Sequence, residues 1–245
     1  MLPSGVHNRP MNRLLIVLCC LLPFALAPAP AGAAPATRTI VLVRHGNYVP
    51  DPNADAQLGP GLSPLGVAQA HLVGARLAAQ LTRFDALFAS PLQRARDSAA
   101  AISVAFPARK FEIVDDLAEC TPPGRGVPAA TPAEKQAQLA CKAQLERVFA
   151  RFFKPAPDSE RTEMFVCHGN VIRYLTTRAL GVDSAAWLAM SVGHASMTTI
   201  RVEADGSIRV IAVGDVGHVP PTLRTGALGD PERSLAVPPL PLQNP

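Results

Sequence analysis

Two short apolar runs in this sequence end in the same way. Ile40-Val41-Leu42-Val43 stops at Arg44-His45-Gly46, and Met164-Phe165-Val166-Cys167 stops at His168-Gly169-Asn170. A continuous apolar run rich in β-branched residues reads as a strand buried on both faces. Parallel strands of that kind deliver their last residues to one carboxyl edge, where open α/β sheets bind ligands. His45 and His168 can therefore meet at that edge. Histidine is both a nucleophile and a proton carrier near neutral pH. Arg44 adds a fixed cation, and the glycines at 46 and 169 let a ligand approach the backbone closely. Gly169-Asn170 also opens a predicted helix, whose N-terminus favours an anion.

Ser90-Pro91-Leu92-Gln93-Arg94-Ala95-Arg96 supplies a further part. A hydroxyl residue before proline reads as N-cap and N1 of a helix. Arg94 then lies about one turn inside that helix, near the sheet edge, with a guanidinium that can fork onto two phosphate oxygens. Arg96, two residues on, must face elsewhere. Two arginines, two histidines and a helix N-terminus make an anion pocket, and the walls of a phosphate site around His45 are the expectation.

The elements that would position these groups are legible. Ser63-Pro64 and Thr131-Pro132 repeat the Ser90-Pro91 signal, and Glu134 completes a capping box with Thr131. Helices are predicted over 64–81, 91–104, 132–153 and 170–180, the last closed by Gly181. Short apolar runs at 40–43, 86–89, 111–114 and 164–167 read as strands between them. Asp205-Gly206 lies between the runs 197–204 and 207–213 and signals a hairpin. The predicted fold class is α/β: a three-layer α/β/α sandwich with a mostly parallel central sheet and an antiparallel hairpin late in the chain. Thr121 to Ala130 reads as an ordered loop or lid.

Residues 1–36 read as an export signal and Pro/Ala linker: Arg9 and Arg13, an apolar segment from Leu14 to Ala27, then small residues. The apolar segment is shorter than the roughly 18–20 residues of a membrane span. The expectation is a periplasmic or secreted protein with no stable membrane span after signal removal. An uncleaved N-terminal anchor is the alternative. Residues 37–227 form the predicted domain and 228–245 a Pro-rich tail. The net charge of +4 falls to +2 without the leader's two arginines, too mild to argue for nucleic acid. Cys120, Cys141 and Cys167 are spaced by 21 and 26 residues, unlike a zinc site. With no carboxylate cluster either, neither metal nor cofactor is expected.

Taken jointly, Arg44-His45-Gly46, Leu62-Ser63-Pro64-Leu65-Gly66, Ser90-Pro91-Leu92-Gln93-Arg94-Ala95-Arg96 and His168-Gly169-Asn170 resemble the histidine phosphatase superfamily, also called phosphoglycerate-mutase-like. The stretches 44–48, 165–174 and 214–221 are most similar to its Ser/Thr protein phosphatase branch, with Asn47 where that branch has Gln and Gly169 where it has Ala. The resemblance implies a phosphoric monoester hydrolase in which His45 attacks phosphorus and becomes phosphohistidine. It implies that Arg44, Arg94 and His168 hold the equatorial oxygens. The family's acid falls at Glu119, which would protonate the leaving alkoxide and later activate water. Asp115 and Asp116 are nearby alternatives, read as capping or solvent-facing.

Asn47 has two readings, phosphate contact through its amide and a turn role. His194 has two as well, a pocket residue and a plain loop histidine. His71 and His218 are not read as catalytic. Cys120 and Cys141 flank the lid and are expected to pair, tying the loop after Glu119 to the third helix. The expected partner is a phosphorylated small molecule or phosphopeptide, and a homodimer is a further expectation. The competing functions are a mutase or phosphotransferase and a non-catalytic module that binds phosphorylated ligands.

Overall fold

The computed structural model describes residues 34–80 and 83–226. The leader up to residue 33 and the 228–245 tail lie outside the described residues. Strands β1 (Arg38–Arg44), β2 (Ala86–Ala89), β3 (Phe111–Ile113) and β4 (Arg161–Cys167) run parallel, while β5 (Met197–Val202) and β6 (Ile208–Asp215) form an antiparallel hairpin beside β1. The six form one sheet in the order β3-β2-β4-β1-β5-β6. The helices are α1 (Pro64–Gln80), α2 (Gln93–Ser103), α3 (Pro132–Phe152) and α4 (Gly169–Ala179).

Alternation along β1 assigns the helices to faces, because successive side chains of a strand point to opposite sides. Ile40 and Leu42 pack with Leu145, Val148 and Phe152 of α3 and with Ile172 and Leu175 of α4. Val41 and Val43 pack with Val73 and Leu77 of α1 and with Ala99 and Ile102 of α2. Each sheet face therefore carries two helices and its own apolar core, and the fold is the expected three-layer sandwich. Within β1 and β4, Arg38 and Glu163 form a buried pair, with Arg38 NH1 2.6 and 2.7 Å from the two carboxylate oxygens.

The helix starts follow their caps, with one exception. Ser63 Oγ accepts from Gly66 N at 3.1 Å. Thr131 and Glu134 make both bonds of the capping box. The second helix does not begin at Pro91: α2 starts at Gln93, behind an extended Leu92 that has no side-chain cap. Ser90 Oγ accepts from Leu92 N at 3.2 Å and lies 2.7 Å from His168 Nε2, so its hydroxyl is engaged beside the histidine and not at a helix start. Arg94 accordingly sits in the first turn of α2. The last helix opens one residue early, at Gly169, with His168 in the N-cap position.

Asp205-Gly206 turns the hairpin with Gly206 at φ +85, and Asp205 accepts from Ser207 N. The loop after Glu119 is tied down along its length. Cys120 and Cys141 are disulfide-bonded with Cα atoms 5.6 Å apart, inside the roughly 7 Å reach of such a bridge. Further along, Arg125 N donates to Ala185 O and Trp187 Nε1 to Pro123 O. Ala185 and Trp187 belong to a 3-10 turn, Ser184–Ala189, that the sequence patterns did not announce. Cys167 is free and buried.

Candidate active site

β1 and β4 run in register with Arg44 opposite Cys167, and His45 N donates to Cys167 O at 3.0 Å. The next residue of each strand is a histidine, so the parallel pairing brings both rings to one edge. The His45 and His168 ring centroids are 5.0 Å apart. His194, in the loop before β5, comes within 5.4 Å of His45. The loop reading of His194 is correct for its position in the chain, and its ring nonetheless belongs to the cluster.

Hydrogen bonds assign the protons of two of these rings. His45 Nδ1 lies 2.8 Å from Gly46 O, a carbonyl that can only accept, so Nδ1 carries the hydrogen. Its Nε2 lone pair then accepts from Arg94 Nε at 3.2 Å. His194 Nε2 faces Arg44 NH2 at 3.2 Å and must accept, leaving Nδ1–H to donate to Thr225 Oγ1 at 2.9 Å. Burial, reinforced by neighbouring cations, holds all three rings neutral: His45 and His168 fall well below the ordinary histidine range and His194 to about 2.

Arg44 is buried and braced. Its NH1 donates to Val192 O at 2.7 Å and Gly226 O at 2.8 Å. Burial lowers it to about 10, which leaves it charged at neutral pH. Arg94 lies over the Tyr48 ring at 5.0 Å, and Tyr48 in turn stands edge-on to His45 at 5.4 Å. Tyr48 is one of two tyrosines in the chain and sits three residues past His45, the one signal that could have marked it.

Glu119 follows the 3-10 turn Asp115–Leu117. The residue is half-buried, but its Oε1 is shut off from solvent and has no hydrogen-bond partner. Burial raises its carboxyl to about 7, against the opposing pull of Arg44, Arg94 and the Asn170 N–H. Asp116 is taken by Arg147 at 2.6 Å, as a surface role requires. Arg44 Nε, Arg173 Nε and His168 Nδ1 are further buried polar atoms without a partner. Arg173, on α4, was not singled out from the sequence, although its charge reaches both Glu119 and Arg44. Buried polar groups are ordinarily satisfied, and an oxyanion is a ligand that could satisfy the N–H groups left unpartnered on this cationic cluster.

The remaining expected site residues act on the backbone around this cluster. Asn47 is tied to distant segments: Oδ1 accepts from Ser63 Oγ at 2.7 Å and Nδ2 donates to Thr225 Oγ1 at 3.4 Å. Gly46 lies against α1, where a Cβ would stand 2.3 Å from Gly66 O. Gly169 lies under the Arg44 guanidinium. Asn170 Nδ2 donates to Cys120 O at 3.1 Å, so it fixes the residue after Glu119. Among the described residues no group of His, Cys, Asp and Glu could hold a metal ion, and no helix is long and apolar enough to cross a membrane.

A family model described as histidine phosphatase superfamily (branch 1) matches residues 40–215. The mitochondrial serine/threonine-protein phosphatase Pgam5 of Caenorhabditis elegans is 35% identical over 194 residues, covering 77% of this chain and 66% of its own length. The protein of the same name from Homo sapiens is 32% identical over 192 residues with the same coverage. The chain thus spans just under two thirds of the length of these relatives. Among solved structures, a phosphoglycerate mutase from Plasmodium falciparum aligns at a TM-score of 0.52 and 25% identity, covering 73% of this chain and 91% of that one. An alpha-ribazole phosphatase from Shigella flexneri shares the fold at a TM-score of 0.56 and 16% identity, covering 72% and 96%. The relatives are named mitochondrial, which overturns the periplasmic or secreted location read from residues 1–36. A basic start free of Asp and Glu is common to export signals and mitochondrial leaders, so it does not separate the two addresses.

Proposed function

The chain belongs to the histidine phosphatase superfamily, and from that premise we propose that it is a phosphoric monoester hydrolase working through a phosphohistidine on Nε2 of His45. The observation that carries this reading is the state of His45. The ring is neutral, its Nδ1–H is held by Gly46 O, and its Nε2 lone pair is directed at Arg94. A nucleophile needs an unprotonated nitrogen, and Nε2 is the one that carries no hydrogen.

In the first step Nε2 forms a bond to phosphorus while the P–O bond to the alcohol breaks. Arg44, Arg94 and His168 bear the charge on the three equatorial oxygens. Glu119, protonated, gives its hydrogen to the departing alkoxide. In the second step Glu119, now a carboxylate, takes a proton from water, whose oxygen displaces His45 from phosphorus. Inorganic phosphate leaves and Glu119 is again protonated. A carboxyl titrating near neutrality serves both duties. No cofactor enters, because the arginines supply the cations.

The substrate class we assign is phosphoserine and phosphothreonine in proteins, after the names of relatives 32–35% identical. Their mitochondrial address is carried over with it, and a homodimer is part of the same reading. The mutase alternative needs added cations to hold a second anion. Arg125 is the one cation in the loop 121–130, and it is paired with Asp183 at 2.7 Å. That pairing favours hydrolysis. The test is release of nitrophenol from p-nitrophenyl phosphate, with a phosphoserine peptide and 3-phosphoglycerate alongside. Turnover of the first two that vanishes in His45→Ala is expected. No turnover of any of them by the wild-type protein defeats the reading.

A further inference from the structure

We infer that Ser90 is a positioning residue: it holds His168 in the tautomer whose Nδ1 carries the hydrogen, so that the ring donates to the phosphoryl group. The inference rests on the phosphatase reading for its consequence, but not for its geometry.

Ser90 is the residue directly after β2, and its N–H donates to Val166 O of β4 at 2.9 Å. That backbone bond brings Ser90 beside His168 in register. Ser90 is wholly buried. Its Oγ has two partners, Leu92 N at 3.2 Å and His168 Nε2 at 2.7 Å. The amide can only donate, so it occupies a lone pair of the oxygen. The hydroxyl's own hydrogen then has one acceptor available to it, the Nε2 of His168. A buried hydroxyl hydrogen without an acceptor is strongly disfavoured. Nε2 is therefore the bare nitrogen, and in a neutral ring the hydrogen must be on Nδ1.

That assignment gives meaning to the orphaned Nδ1 of His168. As an N–H it is a donor awaiting an oxygen. In the opposite tautomer it would present a lone pair to an arriving dianion, between two arginines that draw the anion in. Burial and those arginines keep the ring from gaining a second proton, so it cannot escape the choice by ionising. One hydroxyl outside the group that touches phosphate thus decides whether His168 attracts or repels it. The local chain chemistry serves this end. Pro91 has no N–H to donate and α2 is delayed to Gln93, so Leu92 N is the backbone donor that the Ser90 oxygen serves while its hydrogen is left for His168.

The test reads the ring nitrogens directly. In protein labelled with 15N-histidine, long-range proton–nitrogen correlation spectra give each tautomer, and the His168 signals are identified by their loss in His168→Asn. The expected wild-type result is a protonated Nδ1 and a bare Nε2. Ser90→Ala should shift the ring toward the Nε2–H form and lower kcat/KM on p-nitrophenyl phosphate about 100-fold, while Ser90→Thr, which keeps the hydroxyl, should restore both to within about threefold. A wild-type ring protonated on Nε2 overturns the inference. So does a Ser90→Ala protein that loses activity with its tautomer unchanged, which would leave Ser90 a structural role only. Should Ser90→Ala not fold, the wild-type spectrum still decides. A wild-type protein inactive on every phosphate ester would sink the phosphatase reading alone, because the spectrum needs no turnover.

Discussion

His45 and His168 stand one residue beyond the paired ends of two parallel strands, with rings 5.0 Å apart and both uncharged. Their neutrality follows from where the strands deliver them. The edge is buried, and Arg44 and Arg94 already concentrate positive charge there, so protonating either ring would add a like charge in a desolvated place. The division of labour follows. The arginines carry the fixed charge, the histidines stay neutral, and on the mechanism proposed above the two rings would supply a lone pair and a hydrogen while Glu119 is left as the group whose ionisation changes near neutral pH.

The first consequence is a one-sided pH profile. On the proposed mechanism Glu119 must be protonated for the leaving group to depart, and burial raises its carboxyl to about 7. Measured as kcat/KM on a phosphoserine peptide, activity should be full below that value and fall about tenfold per pH unit above it. No separate acid limb from a histidine should appear, because His45 and His168 lie well below the ordinary histidine range. Glu119→Gln should flatten the profile and lower kcat/KM about 10²- to 10⁴-fold on the peptide. The loss should be smaller on p-nitrophenyl phosphate, whose leaving group needs little protonation. An unchanged alkaline limb in Glu119→Gln would assign the acid elsewhere.

The same carboxyl should destabilise the fold at high pH. Its folded value of about 7 lies above the ordinary 4.5, so the folded state binds the proton more tightly than the unfolded chain does. Stability from this group is fully present below the ordinary value, declines as pH rises toward the folded one, and is lost above it. Glu119→Gln, which cannot ionise, should therefore gain on the wild type between about pH 5 and pH 8, by on the order of 2 kcal/mol once partial exposure is allowed for. Urea unfolding at the two pH values measures it. An equal stability difference at both would show that Glu119 is not buried as described.

The parts of the site that follow from strand ends were legible in the sequence; the parts that depend on lateral contacts were not. His45, His168 and Gly46 could be found because apolar runs and glycines announce where a parallel strand stops. Arg94 was found through a helix start that is in fact two residues late, since the Ser90 hydroxyl lies against a histidine 78 residues away in sequence. Tyr48, Arg173 and the His194 ring join the cluster through packing between distant segments, and no local pattern records such packing. Asn47 shows the limit of residue type alone: its amide suits phosphate, and its bonds to Ser63 and Thr225 come from segments 16 and 178 residues away that no local pattern links to it. The leader misled for a different reason, because a basic, acid-free start is an address shared by two compartments.

Gly46 should tolerate no side chain. A Cβ there would lie 2.3 Å from Gly66 O, and the reciprocal Cβ on Gly66 would lie 2.0 Å from Asn47 O, both against backbone. Neither clash can be relieved by turning a side chain, so β1's exit and the start of α1 would have to separate. Gly46→Ala should cost more than about 3 kcal/mol or abolish folding. Gly206→Ala is the control: its φ of +85 is strained for alanine, but no atom lies within 4 Å of the added carbon. It should cost about 1 kcal/mol. Thermal unfolding of the pair checks the ranking, and equal losses would refute the close approach.

The Cys120–Cys141 bridge should contribute more to stability than to catalysis. It closes a segment of 21 residues beginning one position after Glu119. Constraining a loop of that length in the unfolded chain is worth about 3 kcal/mol on the loop-closure account. The position of Glu119, by contrast, has other supports. Asn170 donates to Cys120 O, Gln144 to Ala118 O, and Trp187 and Ala185 hold the loop further on. These bonds flank the carboxylate on both sides and do not depend on the sulfurs. The double variant Cys120→Ala/Cys141→Ala should therefore lose about 3 kcal/mol in urea unfolding while kcat/KM falls no more than about fivefold. Dithiothreitol treatment of the wild type should reproduce both effects. A large fall in kcat/KM with unfolding unchanged would reverse this ordering and make the bridge, not the hydrogen bonds around it, the device that holds Glu119 in place.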